Sequence, residues 1–474
     1  IYHTMTLSRV ERVLTGYVRG YLKDNIDNEK LRKVSFAMSL ITCLLDGSVS
    51  LFPLFALSFT NKIGLTAFEN NLIASSMMIG LYLTLPILGY CGDAHGSVFL
   101  AIIGSLIIPG YWIAEYQFKN LDNNVLIMSF AFFLIGMGTS SSYFSSLLTC
   151  AKIYPNKSIS ISLPVACYGV SAFLLSWISS LSLFENSIGD ESSFELSKFF
   201  EFLQWIYLIV TIINWMSSFV VTIEKEIIFA KLIEEEENDA INDNININEE
   251  HKLKFKKFLK SYSMPIVLIS LLFLSGPLEL FIANLSTISN PGSELTELVS
   301  IFSISSTIAR FLIGFLNDFI GNSIITSIRL ILITSIITSF GYYLLFKGYN
   351  DDNSSGEGLI TIITILMGSS YGSVFTLFPT LVSNIWGVEI FGSAWGLFLC
   401  APAIGGGILG IIYAIMYERG LQRYGFLILS LITLLGGGAI IIIKRLHKIE
   451  SIESIDESAN TEDIEDNERR PLLL

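Results

Sequence analysis

Apolar residues in this chain come in uninterrupted runs of about 20 residues rather than in amphipathic stripes, and runs of that length cross a bilayer as helices. Twelve are read, at 35–59, 71–91, 97–117, 125–148, 159–183, 202–222, 264–285, 297–320, 324–346, 359–382, 392–416 and 424–444. Backbone amides in hydrocarbon must be satisfied within their own segment, and the short alternating strands of a membrane barrel are missing. The pattern predicts an all-α membrane protein of twelve transmembrane helices.

Polar positions divide the runs into two sets of six. Residues 1–33 form an N-terminal segment, 34–222 a first six-helix bundle, 223–262 a central loop, 263–444 a second six-helix bundle and 445–474 a tail. Residues 1–33 contain no apolar run ahead of a small-residue cleavage site, so the first run is expected to serve as the targeting signal, with Met5 a candidate start. The basic residues give the orientation. Of 29 Lys and Arg, 22 fall on the side shared by the termini and the central loop and six on the other, while Arg310 alone lies clear of the run ends. Both termini are therefore expected in the cytosol.

The chain is 52% hydrophobic and 15% charged, and its net charge of −13 sits mainly in the central loop and tail. Both are read as solvated, largely disordered acidic stretches and not as nucleic-acid surfaces. Lys252, Lys254, Lys256, Lys257 and Lys260, just before the seventh run, are read either as an orientation signal alone or as a contact for anionic membrane lipid. The five cysteines imply no disulfide framework, and the four histidines lack metal-ligand spacing. No metal, no cofactor and no enzymatic constellation is expected.

One motif occurs twice, 225 residues apart: Gly89-Tyr-Cys-Gly-Asp93-Ala-His-Gly96 and Gly314-Phe-Leu-Asn-Asp318-Phe-Ile-Gly321, both G-x-x-x-D-x-x-G. Each closes the second run of its set, which is what a duplicated bundle would show. Runs four and ten share a second likeness, Gly138-Thr-Ser-Ser-Ser-Tyr-Phe and Gly368-Ser-Ser-Tyr-Gly-Ser-Val-Phe, read either as close helix packing or as cavity lining.

This arrangement resembles the major facilitator superfamily. The resemblance implies that Asp93 and Asp318 cap the following helix and lock the two halves at the cytosolic end, with Gly89, Gly96, Gly314 and Gly321 permitting the turns. The usual basic continuation is missing, since Ala94, Ser97, Val98, Phe319 and Asn322 stand there, so basic partners must come from elsewhere. Tyr143-Phe-Ser-Ser-Leu-Leu-Thr-Cys-Ala-Lys-Ile-Tyr-Pro155, Ser160-Ile-Ser-Leu-Pro164 with Cys167-Tyr-Gly169, and Gly276-Pro-Leu-Glu-Leu-Phe-Ile-Ala-Asn284 are similar to the fungal vacuolar branch of monocarboxylate-permease homologues and their nodulin-like relatives. That likeness implies a vacuolar membrane transporter and leaves the solute open.

An ionisable side chain in hydrocarbon costs about 3 kcal/mol or more, so each is a site candidate. Asp46 lies near mid-bilayer and is read as a proton-binding carboxylate in a central cavity or as a structurally paired one. Glu279 follows Pro277 on the seventh run and is expected to face Asp46 across the cavity, either as a substrate- or proton-binding group or in a structural or gating role. Arg310 on the eighth run resembles the R-x-x-x-G arginine that holds the carboxylate in monocarboxylate carriers, but the aspartate they place one turn earlier is here Ser306. The alternative pairs Arg310 with Asp46 or Asp318. Pro164, Pro277 and Pro402, with Gly405, Gly406, Gly407 and Gly410, are expected to kink helices or admit close contact.

The chain ends Glu468-Arg-Arg-Pro-Leu-Leu-Leu474, where Glu468, Leu472 and Leu473 resemble an adaptor-read dileucine sorting signal. Asn353-Ser-Ser is a glycosylation candidate in a luminal loop, whereas Asn156-Lys-Ser should be cytosolic. The reading is a secondary carrier of a small organic solute, with its charge and a proton link left open. Its rival is a sensor or scaffold that uses the same fold to bind without transport.

Overall fold

The computed structural model describes residues 27–155, 157–188, 191–236, 247–288, 295–348 and 357–443. Among them are twelve helical spans, numbered here in order: Glu29–Leu51, Phe68–His95, Ser97–Lys119, Val125–Ile153, Ile159–Ser179, Leu196–Ser218, Ser263–Ala283, Glu297–Ile320, Ile324–Gly348, Gly358–Trp386, Phe391–Tyr417 and Gln422–Ile443. Large apolar side chains stand outside the bundle, with Phe319 79%, Phe68 77% and Leu126 77% exposed. Such a surface is stable against lipid tails and not against water.

Span 1 differs from the uniform run that hydropathy predicts. Its first helix, Asn28–Leu45, stops at Asp46, a tight 3-10 segment covers Gly47–Leu51, and a second helix, Phe52–Lys62, follows. Pro53 has no amide to donate across the break, and Gly47 packs against the Ser171 side chain on span 5, where a Cβ would collide. The fold also contains one antiparallel hairpin, Glu185–Ile188 with Glu191–Phe194, between spans 5 and 6.

The described parts of the central loop are helical, where its acidity predicts a disordered stretch. The helix of span 6 continues to Glu236, and a separate helix occupies Ile247–Lys260. Leu, Lys and Glu are good helix formers, and Glu224 and Glu226 stand among apolar residues rather than in a low-complexity run. Ile247–Lys260 is called the connector helix below, and the end of the bundle where it lies is the loop end.

Small residues set the helix spacing. Gly80 abuts the backbone of Phe133 and Met137, Gly136 that of Met77, and Gly372 that of Ser306. Hydroxyls then bond across the contacts: Ser145 Oγ donates to the Ser97 carbonyl at 2.8 Å, and Asn214 links to Ser142 and Ser146. Most of the hydroxylated run in span 4 is thus packing. Only Ser140 and Tyr143 of that run reach the cavity described next.

Candidate functional site

A cavity between the first six and the last six spans encloses about 600 Å³, its open mouth included. Leu81, Tyr82 and Leu85 of span 2, Ser140 and Tyr143 of span 4, and Val165 and Tyr168 of span 5 line one side. Arg310 of span 8, Tyr371 and Phe375 of span 10, and Trp395 and Leu399 of span 11 line the other. Two of these helices are irregular where they meet it. Span 2 widens into a π-turn over Ile79–Leu83, with Thr84 Oγ1 donating to the Gly80 carbonyl at 2.6 Å. Span 11 breaks at Leu399, between helices Phe391–Phe398 and Cys400–Glu418, because Pro402 has no amide hydrogen for the carbonyl of Phe398.

Arg310 is the one charged residue on the wall. It is 8% exposed, its Nη1 donates to the Val165 carbonyl at 2.8 Å, and its Nε is buried without a partner. The guanidinium carbon lies 5.7 Å from the centre of the Tyr371 ring, and the Tyr371 hydroxyl donates to Glu279 Oε1 at 3.0 Å. Gly169 admits the guanidinium, since a Cβ there would lie 2.7 Å from Nη1. A guanidinium carries five N–H donors in a planar fork. Here it offers a cationic face flanked by phenols, with at least one donor unspent.

Of the three sequence candidates, the fold brings Arg310 and Glu279 together through Tyr371 and leaves Asp46 apart. Glu279 does not line the cavity, and it packs on span 11, where Gly406 abuts its Cβ. Asp46 is fully buried at the break in span 1, and neither carboxylate oxygen has a hydrogen-bond partner. It lies close to Ser142 and Tyr168, behind the cavity wall rather than on it. The expected face-to-face arrangement of Asp46 and Glu279 is therefore not found. The fold breaks the duplication here, because span 1 turns at Asp46 while span 7 stays helical across Glu279. Arg310 forms no ion pair with Asp46 or Asp318 among the described residues.

The repeated motif joins the two halves at the loop end. Asp93 accepts from the Ser393 amide at 2.6 Å and the Ser393 hydroxyl at 3.0 Å, at the start of span 11. Asp318 accepts from the amides of Ser158 and Ile159 at 2.6 and 2.9 Å, at the start of span 5. Each aspartate thus caps a helix of the opposite half, not the following helix that the resemblance implies. Free amides at a helix N-terminus favour an anion, which is why a carboxylate suits both places. The leading glycines are not turn residues either. A Cβ at Gly89 would run into the Gly392 carbonyl and one at Gly314 into the Ser162 side chain, so both serve close crossings between halves. Only Gly96 and Gly321, with φ of 94° and 109°, make the turn in a left-handed conformation.

The missing basic partner of the first copy is Lys152 at the end of span 4, whose Nζ is 3.3 Å from Asp93 Oδ1. The sequence holds this lysine within Cys-Ala-Lys-Ile-Tyr-Pro, but nothing local ties it to Asp93. Tyr168 and Trp395 were likewise missed as cavity residues, since an aromatic in an apolar run carries no mark of the direction it faces, whereas Tyr371 falls in the run of span 10 read as packing or cavity lining. Pro164 and Pro277 lie inside otherwise continuous helices, and the Pro277 carbonyl accepts from Tyr342. Asn353, Asn156, Glu468, Leu472 and Leu473 lie outside the described residues.

No protein-family model matches the chain. Proteins named "Probable transporter MCH1" from Wickerhamomyces anomalus and Debaryomyces hansenii are 37% and 38% identical to it over 426 and 453 residues, covering 87% and 86% of this chain and 85% and 91% of their own. The protein of that name from Saccharomyces cerevisiae is 33% identical over 450 residues, 87% of this chain and 90% of its own. Among solved structures, the proton:xylose symporter XylE superposes with a TM-score of 0.65 at 13% identity, covering 87% of this chain and 95% of that one. The transporter FucP in its outward conformation gives 0.61 at 14% identity, over 88% and 99%. At such low identity these two matches speak for the fold.

Proposed function

Because the chain belongs to the MCH1 family of fungal transporters and has the major facilitator fold, we propose that it is a secondary transporter whose solute is a small organic anion, moved across the vacuolar membrane with a proton. The observation that carries the reading is Arg310, a buried guanidinium in the cavity between the halves with an unpaired Nε. An anionic solute supplies the acceptor that this donor lacks, and a carboxylate matches the planar fork.

Tyr371 ties the arginine to a second ionisable group, Glu279. Its ring faces Arg310 and its hydroxyl bonds Glu279, so a solute that displaces the ring also disturbs the carboxyl. In this reading Glu279 holds the proton that accompanies the solute, taking the part of the aspartate replaced by Ser306. Asp93 and Asp318 are the gates, closed at the loop end in the state described here, and alternating access requires both caps to part.

The remaining features belong to the same proposal. Two bundles, 34–222 and 263–444, rock about the cavity. The basic-residue asymmetry supports a cytosolic loop end with both termini. The ending with Glu468, Leu472 and Leu473 supports delivery to the vacuole by a sorting adaptor, and the lysines of the connector helix support contact with anionic lipid.

The test is uptake into vesicles reconstituted with the full chain, using radiolabelled organic acids, amino acids and sugars, with and without a proton gradient. The expected result is gradient-driven accumulation of at least one acid, lost in Arg310→Ala. Binding without flux across the whole panel would assign the chain instead to a sensor or scaffold, and uptake of an acid that survives Arg310→Ala would remove the arginine from the site.

A further inference from the structure

The connector helix rests on both halves of the closed loop end. His251 Nε2 lies 3.2 Å from the Ser393 hydroxyl, the same hydroxyl that donates to Asp93. Phe258 is 1% exposed and meets Trp386 and Phe398 edge-on, with ring centres 5.1 and 5.9 Å apart. Lys254 pairs with Glu389. Those contacts all belong to spans 10 and 11 and the turn between them. On the other side Tyr90, inside the first motif copy, meets His251 at 5.0 Å and Phe255 at 5.3 Å between ring centres.

We propose that the connector helix is a clasp on the gate, anchored to the last six spans and gripping the first six through Tyr90, and that the loop end opens only when this grip is released. Three features of the structure lead there. Only Ser261 and Tyr262 separate the helix from span 7, so the short tether keeps it with the last six spans. Phe258 and Lys254 add an apolar and an ionic anchor on that same side. Parting Asp93 from Ser393 carries Tyr90 away from residues fixed to Ser393, so His251 and Phe255 cannot keep both neighbours. Burial of the two aromatic contacts then adds to the stability of the closed state and sets a population that release must overcome.

The test uses the full chain in lipid vesicles with the native cysteines replaced by serine and Ser140→Cys as a reporter in the cavity. A membrane-impermeant maleimide is applied from the loop-end side, and labelling is read at residue 140 by mass spectrometry. Bridging Tyr90→Cys to Phe255→Cys with a short, reducible thiol cross-linker is expected to cut labelling about tenfold, and reduction to restore it, because the labelling rate follows the open population. Lys254→Glu, an exposed change that leaves the core intact, is expected to raise labelling severalfold, and adding Glu389→Lys to bring it back. Labelling that is the same bridged and unbridged would overturn the clasp, as would a Lys254→Glu rate unchanged from the parent.

Discussion

Asp93 and Ser393 are 300 positions apart in sequence and meet at 2.6 Å, carboxylate to backbone amide, across the boundary between the two halves of the bundle. Asp318 repeats the relationship with Ser158 at the same distance. The two copies differ in charge compensation, since Lys152 neutralises the first, whereas among the described residues the second rests on helix amides. Hydrogen bonds to a charged group contribute about 1.5–3 kcal/mol each. Asp93→Ala loses the two such bonds from Ser393 and is therefore expected to destabilise closure by about 3–6 kcal/mol. Spin labels at His95 and Phe319, exposed at the loop end on opposite halves, should then report a longer distance, and an unchanged distribution would deny Asp93 any part in closure.

The leading glycines predict a difference between the two crossings. A Cβ at position 89 meets the backbone of Gly392, which cannot step aside, whereas one at 314 meets the Ser162 side chain. Overpacking costs about 1–3 kcal/mol. Gly314→Ala should be rescued by Ser162→Gly, while Gly89→Ala has no such partner. Thermal unfolding in detergent checks this, and rescue of neither or equal losses would contradict it.

At the cavity, Tyr371→Phe keeps the ring over Arg310 and removes the hydrogen bond to Glu279. If the phenol couples the two groups, solute binding should persist while proton-driven accumulation falls. Glu279→Gln should behave in the same way, and Arg310→Lys should lose binding because an ammonium cannot reproduce the planar fork. A Tyr371→Phe protein that accumulates solute as the parent does would break the proposed link.

Asp46 has no hydrogen-bond partner for either buried oxygen. Its replacement by Asn removes a costly buried acid at little change in volume. Asp46→Asn is expected to unfold at the same temperature as the parent or a higher one. Clear destabilisation would mean that the carboxylate holds the break in span 1 together.

Much of the architecture was legible beforehand. Span number, the division into sixes and both motif copies follow from hydropathy and self-similarity, because the bilayer forces each crossing into one long apolar helix. The motif's chemistry was read less well. Gly-x-x-x-Asp-x-x-Gly announces a turn and a cap, and Gly96 does turn the chain, but nothing near Asp93 names Ser393 as its partner.

By itself, then, the sequence determined that this is a membrane bundle made of two similar halves, with a few charges whose burial marks them as exceptional. Only the tertiary structure decided that Arg310 reaches the cavity while Asp46 stays behind its wall, that Lys152 answers Asp93, and that the connector helix sits on the gate. The physical reason is one of range. Crossing a bilayer is a local property, settled residue by residue within each span, whereas caps, ion pairs and aromatic contacts between spans depend on how twelve helices pack in three dimensions.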